Sequence, residues 1–187
     1  KKSLMLKLEQ YAEHYGVEIK YKVLKNSFAE IIRNLYKKFE KEVVVLIDEY
    51  DKAILDHIGL GEERKKIAYA NRDVLKEFFG VLKGDDVVDQ LKFVFVTGVS
   101  RFTKVSIFSE WNNLNDLTFD ESYATFLGYT QEELEKYFKP HIEKFCEENG
   151  IEYEDAVRSL KNWYNGYRFG LTNDVRVYNP ISVMSAL

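Results

Sequence analysis

Apolar residues recur at helical spacing through the first forty positions of the chain. Those between Leu4 and Tyr15 share one face of a predicted helix, and Gly16 follows where a left-handed C-cap belongs. Ser27 and Glu30 have the spacing of a capping box and predict the start of a second helix. The apolar face of this second helix comprises Phe28, Ile31, Ile32, Leu35, Tyr36 and Phe39.

Two apolar runs further along predict strands. Val43–Ile47 is apolar at every position, which is typical of a strand buried on both faces of a parallel sheet. Leu91–Thr97 is a second, mostly apolar run, and residues 62–82 between them have a helical pattern. The apolar stripe of that helix comprises Ile67, Ala70, Val74, Leu75, Phe78 and Leu82. This order predicts a βαβ unit with parallel strands and a right-handed crossover, and a third short strand is predicted at Asp116–Phe119.

From residue 130 the pattern changes to helices. Thr130 and Glu133 form a second capping box ahead of one long helix, which Pro140 is expected to kink and Gly150 to close. Residues 156–163 predict a further helix.

Two turn signals follow that helix. Asn165–Gly166 predicts a tight, hairpin-like turn, and Asn179–Pro180 predicts the start of a last helix. Together the patterns predict an α/β core over residues 1–120 and a helical subdomain over residues 121–187.

The composition is that of a folded globular protein. Of the 187 residues, 45% are hydrophobic and 15% aromatic, and no apolar run approaches the length of a membrane span. The net charge of −4 argues against a broad phosphate-binding face. Residues 1–41 hold ten Lys and Arg against five Glu, which leaves open contact with nucleic acid or a neighbouring domain as well as ordinary solvated helix faces. The single cysteine, Cys146, favours a reducing compartment, so the cytoplasm is the expected location.

Two adjacent carboxylates follow the first predicted strand, as in the Walker B segment of nucleotide hydrolases. Asp48, next to the buried strand, is the candidate ligand of a Mg²⁺ ion, since Mg²⁺ prefers oxygen ligands. Glu49 is the candidate general base for the attacking water, and Asp51 the residue that holds Glu49 or the adjoining loop in place. Asp51 is also a candidate cofactor-binding residue. The other interpretation is a strand-end pair that caps the following turn.

Polar residues also follow the second predicted strand. The carboxyl ends of parallel strands lie at one edge of a sheet, so these residues are expected to meet the acidic pair there. Thr97, Ser100 and Arg101 are candidate contacts for the γ-phosphate of a nucleotide, with hydroxyls that place water and a guanidinium that stabilises transferred phosphate. Ordinary turn chemistry is the alternative.

The sequence lacks a phosphate-binding loop of the Gly-x-x-x-x-Gly-Lys-[Ser/Thr] type. None of its ten glycines is followed by lysine. The residues that would grip the β- and γ-phosphates are therefore not found in these 187 positions.

The remaining candidates carry weaker signals. No histidine has the spacing of a metal site: His14, His57 and His141. Cys146 has three glutamates within four residues, which disfavours a thiolate and hence catalysis. The aromatic segment Trp163–Phe169 is expected to pack against the preceding helix rather than stack on a ligand.

Six segments together resemble one protein family. In chain order they are Val43–Lys52, Phe93–Phe102, Lys104–Ser109, Asn112–Asp116, Tyr123–Thr125 and Trp163–Tyr167. They resemble the AAA-ATPase-like family of bacterial and archaeal proteins, a branch of P-loop ATPases related to the STAND group. The resemblance covers residues 20–187.

The resemblance implies an α/β fold with an incomplete parallel-sheet P-loop NTPase core over residues 1–120 and a helical lid over 121–187. It makes Asp48 and Glu49 the Walker B pair and residues 97–101 the sensor segment. ATP and Mg²⁺ are the expected cofactors of the intact protein. Family members typically begin with a Walker A loop and often end with a nuclease-like domain, so this chain is expected to be a fragment that does not hydrolyse ATP alone.

The function implied is an ATPase module whose Mg·ATP state controls an attached effector. The alternative is a non-catalytic interaction scaffold that retains the Walker B strand. The open sheet edge beside Val43–Ile47 is expected to favour self-association. Contact with nucleic acid is expected only indirectly, and contact with a membrane not at all.

Overall fold

The computed structural model describes residues 1–99 and 114–187 and divides into two compact units, residues 1–114 and 115–187. The first unit contains α1 (Lys2–Tyr15), α2 (Leu24–Phe39), β1 (Val43–Ile47), α3 (Lys52–Leu55), α4 (Glu62–Phe79), a 3-10 turn (Gly80–Lys83), α5 (Asp85–Val88) and β2 (Leu91–Val96). The second contains a 3-10 turn (Glu121–Tyr123), α6 (Gln131–Tyr137), α7 (Lys139–Asn149), α8 (Tyr153–Tyr164) and α9 (Pro180–Ala186).

The two strands of the first unit lie side by side and run parallel, as predicted. Val44 is paired with Phe93 and Ile47 with Val96, and the chain passes between the strands through α3, α4 and α5. The parallel direction follows from this helical crossover, because a direct hairpin would have made the strands antiparallel. Both strands therefore end at the same edge of the sheet.

One face of this sheet is covered by the helices of the first unit. The inward side chains of both strands pack on the core formed by α1, α2 and α4, together with Leu82 and Val87. The outward side chains Val44, Leu46 and Phe93 are 49, 70 and 54% exposed. Successive strand residues point to opposite faces, and the helices described here cover one of them. The expectation that β1 is buried on both faces is therefore wrong for the described part of the chain.

The helices α1 and α2 confirm the amphipathic pattern, but the start of α2 was predicted wrongly. Gly16 ends α1 in the left-handed conformation with φ of 61°. α2 begins before Ser27, whose hydroxyl donates to two backbone carbonyls of segment 20–23 at 2.9 and 3.1 Å. Glu30 accepts from two amides of the same segment at 2.7 and 3.0 Å. Both side chains are buried and fix this extended segment instead of forming a capping box.

The predicted crossover helix is confirmed with a different buried face. α4 ends at Phe79 and continues as the 3-10 turn to Lys83. Leu75, Phe78 and Leu82 are buried as predicted, together with Ala68 and Phe79. Two predicted members of the stripe, Ile67 and Ala70, are exposed.

Residues 116–119 do not form the predicted third strand. They make a turn in which the Asp116 carboxylate accepts a hydrogen bond from the Thr118 amide at 3.1 Å. An aspartate that bonds the amide two residues on stabilises a turn and competes with strand pairing.

In the second unit, the capping box at α6 is confirmed. The Thr130 hydroxyl accepts from the Glu133 amide at 3.2 Å, and the Glu133 carboxylate accepts from the Thr130 amide at 2.9 Å. The single kinked helix that was predicted is two helices, which meet at Phe138. Pro140 lies in the first turn of α7, where the missing proline amide costs no helical hydrogen bond. Gly150 ends α7 in the left-handed conformation with φ of 64°.

Two isolated antiparallel bridges join the loops of the second unit. Tyr167 pairs with Val177, and Tyr129 pairs with Tyr178. The predicted hairpin turn at Asn165–Gly166 is therefore wrong, because the chain after Gly166 pairs ten residues downstream. The predicted start of α9 is confirmed, since the Asn179 side chain accepts from the Ser182 amide at 2.9 Å.

The core of the second unit is formed by fully or nearly fully buried side chains of α6, α7, α8 and α9, together with Tyr178: Leu134, Ile142, Ala156, Leu160, Tyr178 and Val183. Across the two described ranges of the chain, no helix combines the length and the apolar composition that crossing a membrane requires.

Candidate functional site

Asp48 and Thr97 meet at the carboxyl edge of the sheet, as predicted. Each residue directly follows its strand, and the backbone pairing continues one step further, with the Thr97 amide donating to the Ile47 carbonyl at 2.8 Å. The Thr97 hydroxyl donates to Oδ1 of Asp48 at 2.5 Å. The same Oδ1 accepts from the Glu49 amide at 2.9 Å. Thr97 thus orients the carboxylate of Asp48.

The two bonds of Asp48 fall on one carboxylate oxygen. Oδ2 has no hydrogen-bond partner among the described residues, and the side chain is exposed to solvent. An oriented carboxylate with one free oxygen is suited to hold a hard cation or its bound water.

Glu49 follows in an uncommon backbone conformation. Its φ is 50°, in the left-handed region that residues with a Cβ adopt at a cost of about 1 kcal/mol. The Lys52 amide donates to the Glu49 carbonyl at 3.1 Å and closes the turn that leads from β1 to α3. The Glu49 side chain is exposed and has no hydrogen-bond or ion-pair partner in the described part of the chain. Its carboxylate is therefore accessible to water beside Asp48.

Asp51 is fully buried, unlike the two acidic residues before it. Its Oδ1 accepts from the Val99 amide at 3.1 Å, which ties the loop after β1 to the loop after β2. This arrangement corresponds to the predicted role of holding the adjoining loop. The direct contact with a cofactor that was also predicted for Asp51 would need a surface that its side chain does not expose.

Two of the predicted site residues, Ser100 and Arg101, lie outside the described residues. Thr97 is placed, and its hydroxyl proton is already donated to Asp48. In this arrangement Thr97 acts on the carboxylate and is not free to donate to a phosphate oxygen at the same time.

Comparison with known proteins shows which family the chain resembles. Residues 1–108, more than half of the chain, match the family described as "Predicted AAA-ATPase". The chain belongs to this AAA-ATPase-like family. An "Uncharacterized protein in vnfD 5'region" from Azotobacter chroococcum mcd 1 is 38% identical over 157 residues, or 84% of the chain. The chain spans 27% of the length of that relative. No solved structure matches the chain.

The donor set of this AAA-ATPase-like chain fits a magnesium ion that is held mainly by water and phosphate. In the described ranges, no group of three or more His, Cys, Asp or Glu side chains comes together that could hold a metal ion alone. Mg²⁺ commonly keeps several waters and takes one or two protein carboxylates together with phosphate oxygens of the substrate. Asp48, with its free Oδ2, provides one such carboxylate.

The same edge does not provide a site for a triphosphate by itself. Within the residues described, no lysine or arginine pairs with Asp48 or Glu49, and both carboxylates are exposed. Negative charges repel a polyphosphate unless a cation lies between them. The described residues therefore fit a hydrated metal ion and do not by themselves fit a triphosphate.

Two of the weaker sequence candidates, His57 and Cys146, lie in the described part of the chain. The ring Nδ1 of His57 lies 3.2 Å from a guanidinium nitrogen of Arg64 on the surface. Partial burial, and then the nearby Glu152 and Glu143, raise the pKa of the Cys146 thiol, so a thiolate is disfavoured as predicted.

The aromatic segment on α8 and after it divides into two parts. Trp163 is 81% exposed and Tyr167 is 50% exposed, so the prediction that this segment packs against the preceding helix is wrong for both. Tyr164 and Asn165 are half-buried, and Tyr164 packs on the core of the second unit.

Two residues at the sheet edge were missed by the sequence reasoning: Tyr50 and Gly98. Both lie inside the segments that resemble the family, and Gly98 follows the second strand by two residues. A glycine at that position is the available signal, because it often marks a close approach of two backbones.

Proposed function

We propose that this chain carries the metal- and water-handling part of an ATPase module, whose nucleotide state controls an attached effector. The observation that carries the proposal is the hydrogen bond from Thr97 to Asp48 at the ends of two parallel strands, with the accessible carboxylate of Glu49 next to it. Membership of the AAA-ATPase-like family supports ATP as the nucleotide.

Each residue has a separate task in this proposal. Asp48 holds the Mg²⁺ ion through Oδ2 or a bound water, and Thr97 keeps the carboxylate in the orientation that this requires. Glu49 accepts a proton from the attacking water, which explains why its side chain is left accessible. The metal supplies charge neutralisation for the phosphates when it is bound.

The finer assignments belong to the same proposal. The first unit is a P-loop NTPase core of the STAND-related group, and the second unit is its helical lid. Ser100 and Arg101 contact the phosphates, and a Walker A loop in the intact protein supplies the remaining grip. The effector belongs to the intact protein as well, and the chain spans 27% of the length of its relative.

The test of this proposal is the magnesium dependence of ATP binding by the intact protein. Asp48→Asn removes the charge that attracts the ion, so the Mg²⁺ concentration needed for half-maximal ATP binding is expected to rise about tenfold or more. Thr97→Val removes the orienting hydroxyl and is expected to raise this Mg²⁺ concentration by a smaller factor. Thr97→Ser retains the hydroxyl donor and is expected to leave the Mg²⁺ concentration unchanged. Calorimetric titration with ATP at several Mg²⁺ concentrations measures the effect.

Glu42→Gln is the matched control, since Glu42 is an exposed carboxylate before the opposite end of β1. It is expected to leave the magnesium requirement unchanged. If Asp48→Asn behaves like Glu42→Gln, Asp48 does not hold the ion. If the intact wild-type protein neither binds nor hydrolyses ATP, the chain is the non-catalytic scaffold that the sequence left as its alternative.

A further inference from the structure

The loops that follow β1 and β2 are connected at three points beyond the end of the sheet. The Tyr50 amide donates to the Thr97 carbonyl at 3.0 Å. The Asp51 carboxylate accepts from the Val99 amide at 3.1 Å. Between these two bonds, Gly98 lies directly against Tyr50 and Asp51. The connections therefore hold the chain directly after Thr97, whose hydroxyl orients Asp48.

Residue 98 must be a glycine because there is no room for a Cβ at this position. A Cβ at Gly98 would lie 2.4 and 2.6 Å from two carbons of the Tyr50 ring and 3.0 Å from Oδ1 of Asp51. Carbon atoms that are not bonded to each other do not approach below about 3 Å without displacement of one of them. Any side chain at residue 98 would thus displace the Tyr50 ring or the loop that carries it.

The Asp51 side chain does not make the local hydrogen bond that an aspartate in a turn usually makes. Asp51 stands at the N-cap of α3, a position where aspartate usually bonds an amide of its own helix. Its side chain makes no such capping bond and instead reaches Val99, 48 residues later in the chain. A fully buried carboxylate that accepts a backbone amide of another loop holds that loop in one place.

We propose that Tyr50, Asp51 and Gly98 form a latch that sets the position of Thr97 relative to Asp48. The three are positioning residues, and they act on the metal-holding carboxylate through Thr97. The functional consequence rests on the proposed ATPase function, whereas the latch itself rests on these contacts alone. Displacement of the β2 loop by about 1 Å is enough to lengthen the Thr97–Asp48 bond beyond hydrogen-bonding range.

The first test measures the latch without any activity. Hydrogen exchange of the Val99 amide is followed by NMR in the intact protein. Asp51→Ala removes the acceptor and is expected to speed this exchange about tenfold or more. Asp51→Asn retains a side-chain oxygen that can accept a hydrogen bond from the Val99 amide. It is expected to speed the exchange of this amide by a smaller factor. Exchange of the Val99 amide within twofold of wild type in Asp51→Ala would overturn the latch.

The second test measures what the latch does to the site. Gly98→Ala introduces the collision with Tyr50 and is expected to raise the Mg²⁺ requirement of ATP binding about tenfold, the scale of losing an outer-shell partner of a metal ligand. Gly80→Ala is the matched control, because Gly80 has helical backbone angles and a Cβ there meets no atom within 4 Å. It is expected to leave the requirement unchanged.

The two tests separate failure of the latch from failure of the proposed function. If Gly98→Ala and Gly80→Ala have the same magnesium requirement, the latch does not position Thr97. If the wild-type protein shows no Mg²⁺-dependent ATP binding, the proposed function fails, and the exchange of the Val99 amide in Asp51→Ala still decides whether the latch exists. Should Asp51→Ala fail to fold, faster Val99 exchange in folded Gly98→Ala supports the latch, and unchanged exchange overturns it.

Discussion

Exposed carboxylates at two places in the molecule are used in opposite ways. In the second unit, Glu121 accepts from the amide and the hydroxyl of Thr172 at 2.7 and 2.9 Å. At the sheet edge of the first unit, Glu49 has no partner among the described residues and Asp48 retains a free oxygen. Solvent exposure alone does not distinguish these groups. A carboxylate oxygen that accepts no hydrogen bond is the one available for a ligand.

A buried polar group of the second unit is also hydrogen-bonded within that unit. The hydroxyl of fully buried Tyr178 donates to the Gln131 side chain at 2.5 Å and also interacts with Asn165. Burial raises the pKa of Tyr178, which keeps the hydroxyl neutral and able to donate. Asn165 belongs to the aromatic segment after α8, so part of that segment supports the fold of the second unit.

The comparison predicts that changes in the second unit affect stability and leave catalysis intact. Tyr178→Phe removes the buried hydroxyl and leaves the Gln131 oxygen without its donor, so the free energy of unfolding is expected to fall by about 1–2 kcal/mol. Urea denaturation of the intact protein measures this. ATP turnover per folded molecule is expected to stay at the wild-type value.

Tyr137→Phe is the control for that prediction, because Tyr137 is 61% exposed on α6. Its effect on the free energy of unfolding is expected to lie within about 0.5 kcal/mol. Lower turnover in Tyr178→Phe with unchanged stability would show that the second unit takes part in the chemistry, and the division between the units would be wrong.

A smaller effect is expected from Glu121, and it depends on pH. Hydrogen bonds from the Thr172 amide and hydroxyl hold the pKa of Glu121 below its ordinary value of 4.5. A carboxyl whose pKa is lower in the folded state contributes stability above its ordinary pKa, and that contribution is lost as the pH falls through the folded value. Glu121→Gln is therefore expected to lower the melting temperature slightly at pH 7, with a difference from wild type that shrinks below about pH 4.5.

Glu147→Gln is the control for this pH dependence, since Glu147 is an exposed residue of α7 with no bond to a backbone amide in the described residues. Its melting temperature is expected to follow that of the wild type at each pH. A constant difference between Glu121→Gln and wild type from pH 7 to pH 3 would mean that the carboxylate of Glu121 is not bonded as the structure has it.

The two capping-box predictions show what local sequence determines. Thr130 and Glu133 bond each other because the box is complete within four residues. Ser27 and Glu30 have the same spacing, but segment 20–23 lies against them and takes both side chains. Spacing predicts such a box only where no other backbone competes for its polar atoms.

The sheet edge was predictable for a different reason. Two apolar runs joined by a helix must pair in parallel, which brings Asp48 and Thr97 to one edge. The partner of Asp51 was not predictable, because Val99 is 48 residues away in the chain and nothing local indicates their contact. The exposure of Val44 and Leu46 could not be predicted either, since it depends on which elements cover the outer face.

Glu49 is proposed as the general base beside a metal held by Asp48, and one variant, Glu49→Gln, separates ATP binding from turnover. ATP binding and steady-state phosphate release are measured for the intact wild-type protein and for Glu49→Gln. We expect Glu49→Gln to bind Mg·ATP with an affinity near that of the wild type and to release phosphate at least about 100-fold more slowly. Phosphate release at the wild-type rate in Glu49→Gln would contradict the assignment of this site.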